Sequence, residues 1–243
     1  VVRPSDRSLL IARSLPAAFV HQELQLHYQP VVRLPSGEIA GFEALLRWNH
    51  RALGPIPVEE ALEAVARCGL EEELDGYVVE QACHRLPMLL SRLGVTDGYV
   101  AVNMSPTTLQ RRGYAADLLR RLDAVGADRR GLVVEIVERG HVHDWPALRE
   151  NVGALKAAGI RIALDDFGTG TSNVNYLSEI QADFVKLDRS LVAWASSPTG
   201  GAVLERFVEM ARIAGSNVVA EGVEDAAMLP VLRRLGLEHA QGF

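Results

Sequence analysis

Ile162-Ala163-Leu164-Asp165-Asp166-Phe167-Gly168-Thr169-Gly170 carries an apolar strand pattern straight into two adjacent carboxylates and a glycine-rich loop. Two carboxylates at a strand end repel each other and lose hydration, so a fold that keeps them needs something to offset the cost. A divalent cation is the usual answer. The loop that follows reads either as an ordinary turn with a helix N-cap at Ser172 or as an element beside Asp166 that gates a site.

Working outward, the same order of strand and then polar residue recurs. Upstream, a helix opened by Asp144 with Pro146 in its first turn runs to about Ala158. Before it lie helical stretches near 59–67, 70–93 and 107–126, with strands at Tyr99–Asn103 and Leu132–Val137. Downstream, strands at Phe184–Asp188, Val218–Glu221 and near 239–241 alternate with helices near 201–214 and 225–235. At the front, Gln25–Val32 and Glu38–Trp48 are joined by Leu34-Pro35-Ser36-Gly37. So short a link makes a hairpin, and its strands are antiparallel. Eight strands in this order predict an α/β fold, a modified TIM-like (β/α)8 barrel whose first strand breaks the parallel rule. A doubly wound sheet competes, but neither a G-x-G-x-x-G after the first strand nor a phosphate-binding G-x-x-x-x-G-K-[ST] loop is present.

With 243 residues, 48% hydrophobic, the chain can bury one large core. A net charge of −6 argues against duplex nucleic acid as a partner, while leaving room for a small phosphate ligand held through metal ions. Cys68 and Cys83 have no metal spacing, which fits a reducing compartment. No apolar run approaches the roughly 18 residues of a membrane span, and the N-terminus does not read as a signal peptide. The expected setting is a cytoplasmic domain, compatible with a membrane-anchored full-length protein. Residues 1–20 read as an amphipathic linker helix from an upstream domain, and 21–243 as the barrel domain.

The strand ends carry Glu43, Asn103, Glu135 with Glu138, Asp165 with Asp166, Lys186 with Asp188, Glu221 with Glu224, and Gln241. Any one of them is most simply a solvated or salt-bridged rim residue. Lys186 alone reads best as a neutralising charge. Seven strands with the same feature need a common explanation, because barrel strand ends converge on one mouth where catalytic groups collect. The ligand set is oxygen-only, which favours Mg²⁺ or Mn²⁺ over zinc. His21, His27, His50, His84, His141, His143 and His239 show no ligand spacing, and His141-Val142-His143 reads as a surface loop.

These residues fall in motifs: Tyr28-Gln29-Pro30, Glu43-Ala44-Leu45-Leu46-Arg47-Trp48, Asn103-Met104-Ser105, Glu135-Ile136-Val137-Glu138, Asp165-Asp166-Phe167-Gly168, Lys186-Leu187-Asp188, Glu221-Gly222-Val223-Glu224 and Gln241-Gly242-Phe243. Over about residues 20–243 the chain resembles the EAL family of cyclic di-GMP phosphodiesterases. The resemblance implies a barrel with an antiparallel first strand and hydrolysis of cyclic di-GMP to linear pGpG. It implies that Glu43, Asn103, Glu135 and Asp165 hold a first metal and that Asp166 serves a second. Lys186 would contact the attacking water, Glu221 would act as general base or orienting carboxylate, and Gln241 would support the water or metal shell. Gln29, Arg47, Asp188 and Glu224 would contact substrate, and Glu138 would brace the loop after the fifth strand. A homodimer and an upstream sensor or GGDEF domain belong to the same resemblance.

One geometric demand follows from the residues themselves. Side chains of adjacent strand residues point to opposite faces, so Asp165 and Asp166 can serve one metal pair only if the chain turns at Asp166. The sequence departs from the family at Ala66, where a glutamate is usual, at Val137 and at Thr171, and it ends at Phe243, short of the usual C-terminal segment. Those departures motivate an alternative reading, a cyclic di-GMP receptor that has lost turnover; a pure interaction scaffold is the third.

Overall fold

The computed structural model describes residues 4–137, 142–168 and 173–242. Its frame is a closed barrel of eight strands: β1 (Leu24–Arg33), β2 (Ile39–His50), β4 (Tyr99–Met104), β5 (Leu132–Ile136), β6 (Arg161–Phe167), β7 (Phe184–Leu187), β8 (Asn217–Val223) and β9 (His239–Gly242). β1 runs antiparallel to both its neighbours, β2 and β9, whereas β2, β4 and the later strands pair in parallel. The hairpin explains this: Gly37 takes φ of 75° in the tight connection, and no helix can fit between β1 and β2.

Helices α2 (Val58–Cys68), α3 (Glu71–Leu93), α4 (Pro106–Leu109), α5 (Tyr114–Ala124), α6 (Trp145–Ala157), α7 (Asn173–Glu179), α8 (Arg189–Trp194), α9 (Pro198–Ile213) and α10 (Leu229–Arg234) cover the outside. Their inner faces and the outward residues of the strands form the main core, with Trp48, Val100, Val102, Leu118, Val134, Leu148 and Ile162 buried. A separate apolar layer fills the barrel itself: Val31, Ala40, Tyr99, Ala101, Val133, Ala163, Phe184 and Val219. Val31, Ala101, Val133, Ala163, Phe184 and Val219 each lie two residues from a polar position of the same strand, so the period-2 alternation that builds the floor also aims the site.

The N-terminal helix α1 (Pro4–Val20) packs against the barrel, burying Ile11, Leu15 and Ala18. It is tied by Ser14 Oγ, 2.9 Å from His50 Nε2, while His50 Nδ1 accepts from the backbone N–H groups of Ala52 and Leu53 at 3.0 and 3.2 Å. Both ring nitrogens are occupied, which makes His50 a structural residue.

Three features differ from the sequence reading. A short strand, β3 (Gly54–Ile56), pairs antiparallel with the far end of β2 outside the barrel. The helix expected over 107–126 is broken into α4 and α5. Asn151 of α6 holds the corner: its Nδ2 donates to the carbonyls of Leu109 (2.8 Å) and Arg111 (2.7 Å), and its Oδ1 accepts from Ala115 N–H (3.0 Å). The third difference concerns Glu43, which lies in the middle of β2, because that strand runs on past the mouth to His50.

A buried carboxyl at the α3–α4–α5 junction carries a stability prediction. Asp75 is buried, and its Oδ2 has no hydrogen-bond donor. Burial raises its pKa to about 7, with Glu71 and Glu72 adding to the shift and the Thr108 hydroxyl opposing it. The unfolded chain ionises this group near pH 4, so stability is full below that, falls as pH rises toward 7 and stays reduced above. Asp75→Asn removes the titration and is expected to stabilise the protein at about pH 8 by up to roughly 4 kcal/mol, the equivalent of the shift to about 7. Urea melts of both proteins at about pH 4 and pH 8 check this, and a difference that does not grow with pH contradicts it.

Candidate metal and active site

Inside the barrel, directly above the apolar layer, each of the eight strands contributes one polar residue: Gln29, Glu43, Asn103, Glu135, Asp165, Lys186, Glu221 and Gln241. Lys186 is the hub. Its Nζ lies 3.2 Å from Glu43, 3.0 Å from Glu135, 3.0 Å from Asp165 and 2.8 Å from Glu221. Asn103 Nδ2 donates to Glu43 Oε1 (2.8 Å), and Gln241 Nε2 donates to Glu43 Oε2 (2.6 Å) and to Gln29 Oε1 (3.0 Å). Gln29 Nε2 in turn donates to the Gly242 carbonyl at 3.3 Å.

The electrostatics follow from burial and crowding. Lys186 is 2% exposed; burial alone would lower its pKa, but the surrounding carboxylates hold it well above the ordinary lysine value. Burial pushes Glu135 well up, with Lys186 opposing and Glu43 and Asp165 adding to the rise. For Glu43 burial is outweighed by Lys186 and by the hydrogen bonds from Gln241 and Asn103, and its pKa falls. Glu221, nearer the mouth, is raised to about 7 by burial and by Asp165, against the pull of Lys186. Four carboxylates around one ammonium leave a surplus of negative charge that only protons or a further cation can relieve.

The turn demanded at Asp166 is present. Asp166 adopts φ of 52°, in the left-handed region, and the β6–β7 pairing slips register between Leu164 and Phe167. Such a bulge breaks the alternation of faces. Carboxylate oxygens of Asp165, Asp166 and Glu221 consequently lie within 4.8 Å of one another. A second slip, between Ala220 and Val223 of β8 with Gly222 at φ of 62°, sits beside Glu221. A Cβ on Gly222 would come within 2.4 Å of the Arg189 Cβ, so this bulge needs glycine for both angle and space.

The residues fit a hard divalent cation. The donors are all oxygens, and two buried acceptors, Asp165 Oδ1 and Gln241 Oε1, receive no hydrogen bond. Asp165 Oδ1 is within ion-pair distance of Lys186, but without hydrogen-bond alignment.

The rim is looser. Arg47 is exposed and donates to the Leu46 carbonyl at 2.8 Å, and Glu224 is exposed. Asp188 caps α8, accepting from Ser190 N–H at 2.8 Å, a structural task that its sequence position did not reveal. Ala66, at the family's glutamate position, is exposed on α2. Glu138, Thr171 and the N-cap expected at Ser172 lie outside the described residues.

The profile of the EAL domain matches residues 12–243. The chain belongs to the EAL family. It is 32% identical over 240 residues to the bifunctional diguanylate cyclase/cyclic di-GMP phosphodiesterase MucR of Pseudomonas aeruginosa, covering 98% of this chain and 35% of MucR. It is 29% identical to the cyclic di-GMP phosphodiesterase PdeL of Escherichia coli, over 97% of this chain and 65% of PdeL. The chain thus spans about a third of several of these curated relatives. Among solved structures, the PaMucR phosphodiesterase in complex with c-di-GMP superposes with a TM-score of 0.84 at 32% identity, covering 96% of this chain and 95% of that one. The EAL enzyme Bd1971, in its cAMP- and cyclic-di-GMP-bound form, gives 0.87 at 26% identity, covering 99% and 66%. The EAL barrel with its antiparallel first strand is therefore the fold of this chain, as the hairpin predicted. Among the described residues no helix is long and apolar enough to cross a membrane.

Proposed function

We propose that this EAL domain is a metal-dependent phosphodiesterase that hydrolyses cyclic di-GMP to linear pGpG. The observation that carries the reading is the polar layer itself, with Asp165, Asp166 and Glu221 converging above Lys186. Glu43, Asn103, Glu135 and Asp165 would hold one Mg²⁺ or Mn²⁺, and Asp166 with Asp165 a second. When bound, the ions supply Lewis-acid stabilisation of charge on the phosphodiester and lower the pKa of the attacking water.

The protein groups have separate tasks. Glu221, with a pKa near 7, is matched to taking a proton from water at neutral pH. Lys186 holds the carboxylates in one arrangement and places a fixed positive charge under the reacting centre. Gln241 orients Glu43 and Gln29, leaving its Oε1 as an acceptor toward the water or metal shell. Gln29, Arg47, Asp188 and Glu224 would contact the dinucleotide, and Glu138 would brace the neighbouring loop. A homodimer and an upstream sensor or GGDEF domain complete the proposal.

Incubating the purified protein with cyclic di-GMP and Mg²⁺ or Mn²⁺ should yield pGpG by chromatography and mass spectrometry. No product with either metal, from protein with intact circular dichroism, overturns it. Tight binding without turnover selects the receptor reading instead.

A further inference from the structure

At the opposite end of the barrel the inward positions carry two arginines and a histidine whose pKa burial lowers. Arg161 precedes Ala163 and Asp165 by two and four residues on β6, and His239 precedes Gln241 by two on β9, so both follow the inward alternation. Arg33 stands directly opposite His239 in the β1–β9 pairing. All three are half-buried around an aromatic plug. Tyr99 and Phe184 stack with centroids 5.6 Å apart, and the His239 ring meets Phe184 edge-on at 5.9 Å. The Arg161 guanidinium lies over both rings, 4.9 Å from the Tyr99 centroid and 5.6 Å from that of Phe184.

This arrangement satisfies the guanidinium's face and leaves its edge unused. A ring quadrupole attracts a cation from above, but the five N–H donors of arginine point outward in its own plane. Among the described residues, none accepts a hydrogen bond from Arg161 or forms an ion pair with it. Arg33 meets only the carbonyls of Ile39 and Asp97, at 3.2 and 3.5 Å, and no carboxylate among the described residues. His239 Nδ1 is buried with no partner. Nearby Arg233 spends its donors on the Leu34 carbonyl at 3.1 and 2.9 Å, adding positive potential without a free edge. The carboxylates of Glu238 and Asp97 are close in sequence, yet neither pairs with Arg33 or Arg161.

We propose that Arg33, Arg161 and His239 form an anion site at the closed end of the barrel, taking a phosphate-class oxyanion away from the metal-binding mouth. Arginine forks match phosphate and carboxylate oxygens. Donors arriving from three different strands suit a tetrahedral anion better than a planar carboxylate with two acceptor atoms. The source is either free phosphate or the terminal phosphate of a nucleotide.

The test uses the whole chain in EDTA, which keeps metal-bound phosphate out of the mouth. Inorganic phosphate should raise the melting temperature above a chloride control of equal ionic strength and broaden its own ³¹P resonance. Arg33→Gln and Arg161→Lys should each weaken that binding by about tenfold or more, as loss of a charge-assisted hydrogen bond requires. Arg161→Lys keeps the cation over the rings, so its fold is protected. A larger shift with guanosine 5′-monophosphate than with phosphate that is lost in both variants assigns the nucleotide source; an excess that survives in them belongs to the mouth, and an equal or smaller shift assigns the free ion. Phosphate that stabilises no more than chloride, or equally in both variants, overturns the proposal.

Discussion

Lys186→Met is expected to destabilise the apo protein by about 3–5 kcal/mol at neutral pH and to cut phosphodiesterase turnover by at least about 10²-fold. The stability loss comes from what remains. Glu43, Glu135, Asp165 and Glu221 all lie within 3.2 Å of one ammonium, and methionine leaves their charges facing one another in a buried layer. Without the ammonium, Glu43 loses the charge that outweighs its burial, and Glu135 and Glu221, already raised by burial, lose the group that opposes the rise. Stability of the variant is then fullest below about pH 4 and falls as pH climbs through the raised folded values, in the sense set by linkage. Wild-type Glu43, whose pKa is lowered, contributes in the opposite direction: its stabilisation is present above its unfolded pKa and is lost as pH falls through the folded one. Denaturant melts in EDTA across this range should show the variant's deficit widening toward alkaline pH. A divalent cation should recover part of it, since the same oxygens can share a metal. A variant that melts like wild type at about pH 8 would remove Lys186 from its place as the electrostatic hub.

How far such a site can be read from sequence depends on the range of the interactions that build it. The antiparallel first strand was legible because a four-residue link between Arg33 and Glu38 admits no crossover. Seven of the eight polar positions were legible because strand and polar residue recur together along the chain, and Gln29 was reached only through the family motif. The turn at Asp166 was legible as a necessity, since two neighbours on a regular strand cannot share a face, and the left-handed φ supplies it. What stayed hidden arises between distant segments. Asn151 breaks a helix some forty residues upstream through hydrogen bonds that no local pattern announces. Glu43 counts among the strand ends in the sequence reading although the expected strand runs on to Trp48, and it sits in mid-strand because β2 continues outside the barrel to pair with β3. Lys186 alone reads as a counter-charge, and its four simultaneous partners come from four other strands. The basic floor escaped for the same reason: Arg33, Arg161 and His239 are unremarkable singly and meet only when the barrel closes.

Asp166→Gly should separate fold from function at the other decisive carboxylate. Asp166 holds φ of 52°, a conformation that costs an L-residue and costs glycine nothing. Aspartate tolerates it better than most side chains, so the relief is modest and is offset by glycine's larger unfolded-state entropy, leaving stability within about 1 kcal/mol of wild type. Removal of one member of the Asp165–Asp166–Glu221 group also lifts repulsion in the apo state, which works in the same stabilising direction. Activity should move the other way. Under the proposed two-metal reading only Asp165 would remain for the second ion, so turnover at saturating substrate is expected to fall by about 10²-fold or more, and higher Mn²⁺ should restore part of it. Asp166→Asn supplies the control. It keeps the left-handed backbone and the side-chain volume while removing the charge, so it should resemble Asp166→Gly in activity and wild type in stability. If Asp166→Asn keeps full turnover, the side chain serves only the shape of the bulge, and second-metal binding belongs to other residues. If both variants lose turnover while their melts stay close to wild type, the strained turn is there to deliver a charge to the reacting centre, and the sequence holds aspartate where the backbone alone would favour glycine.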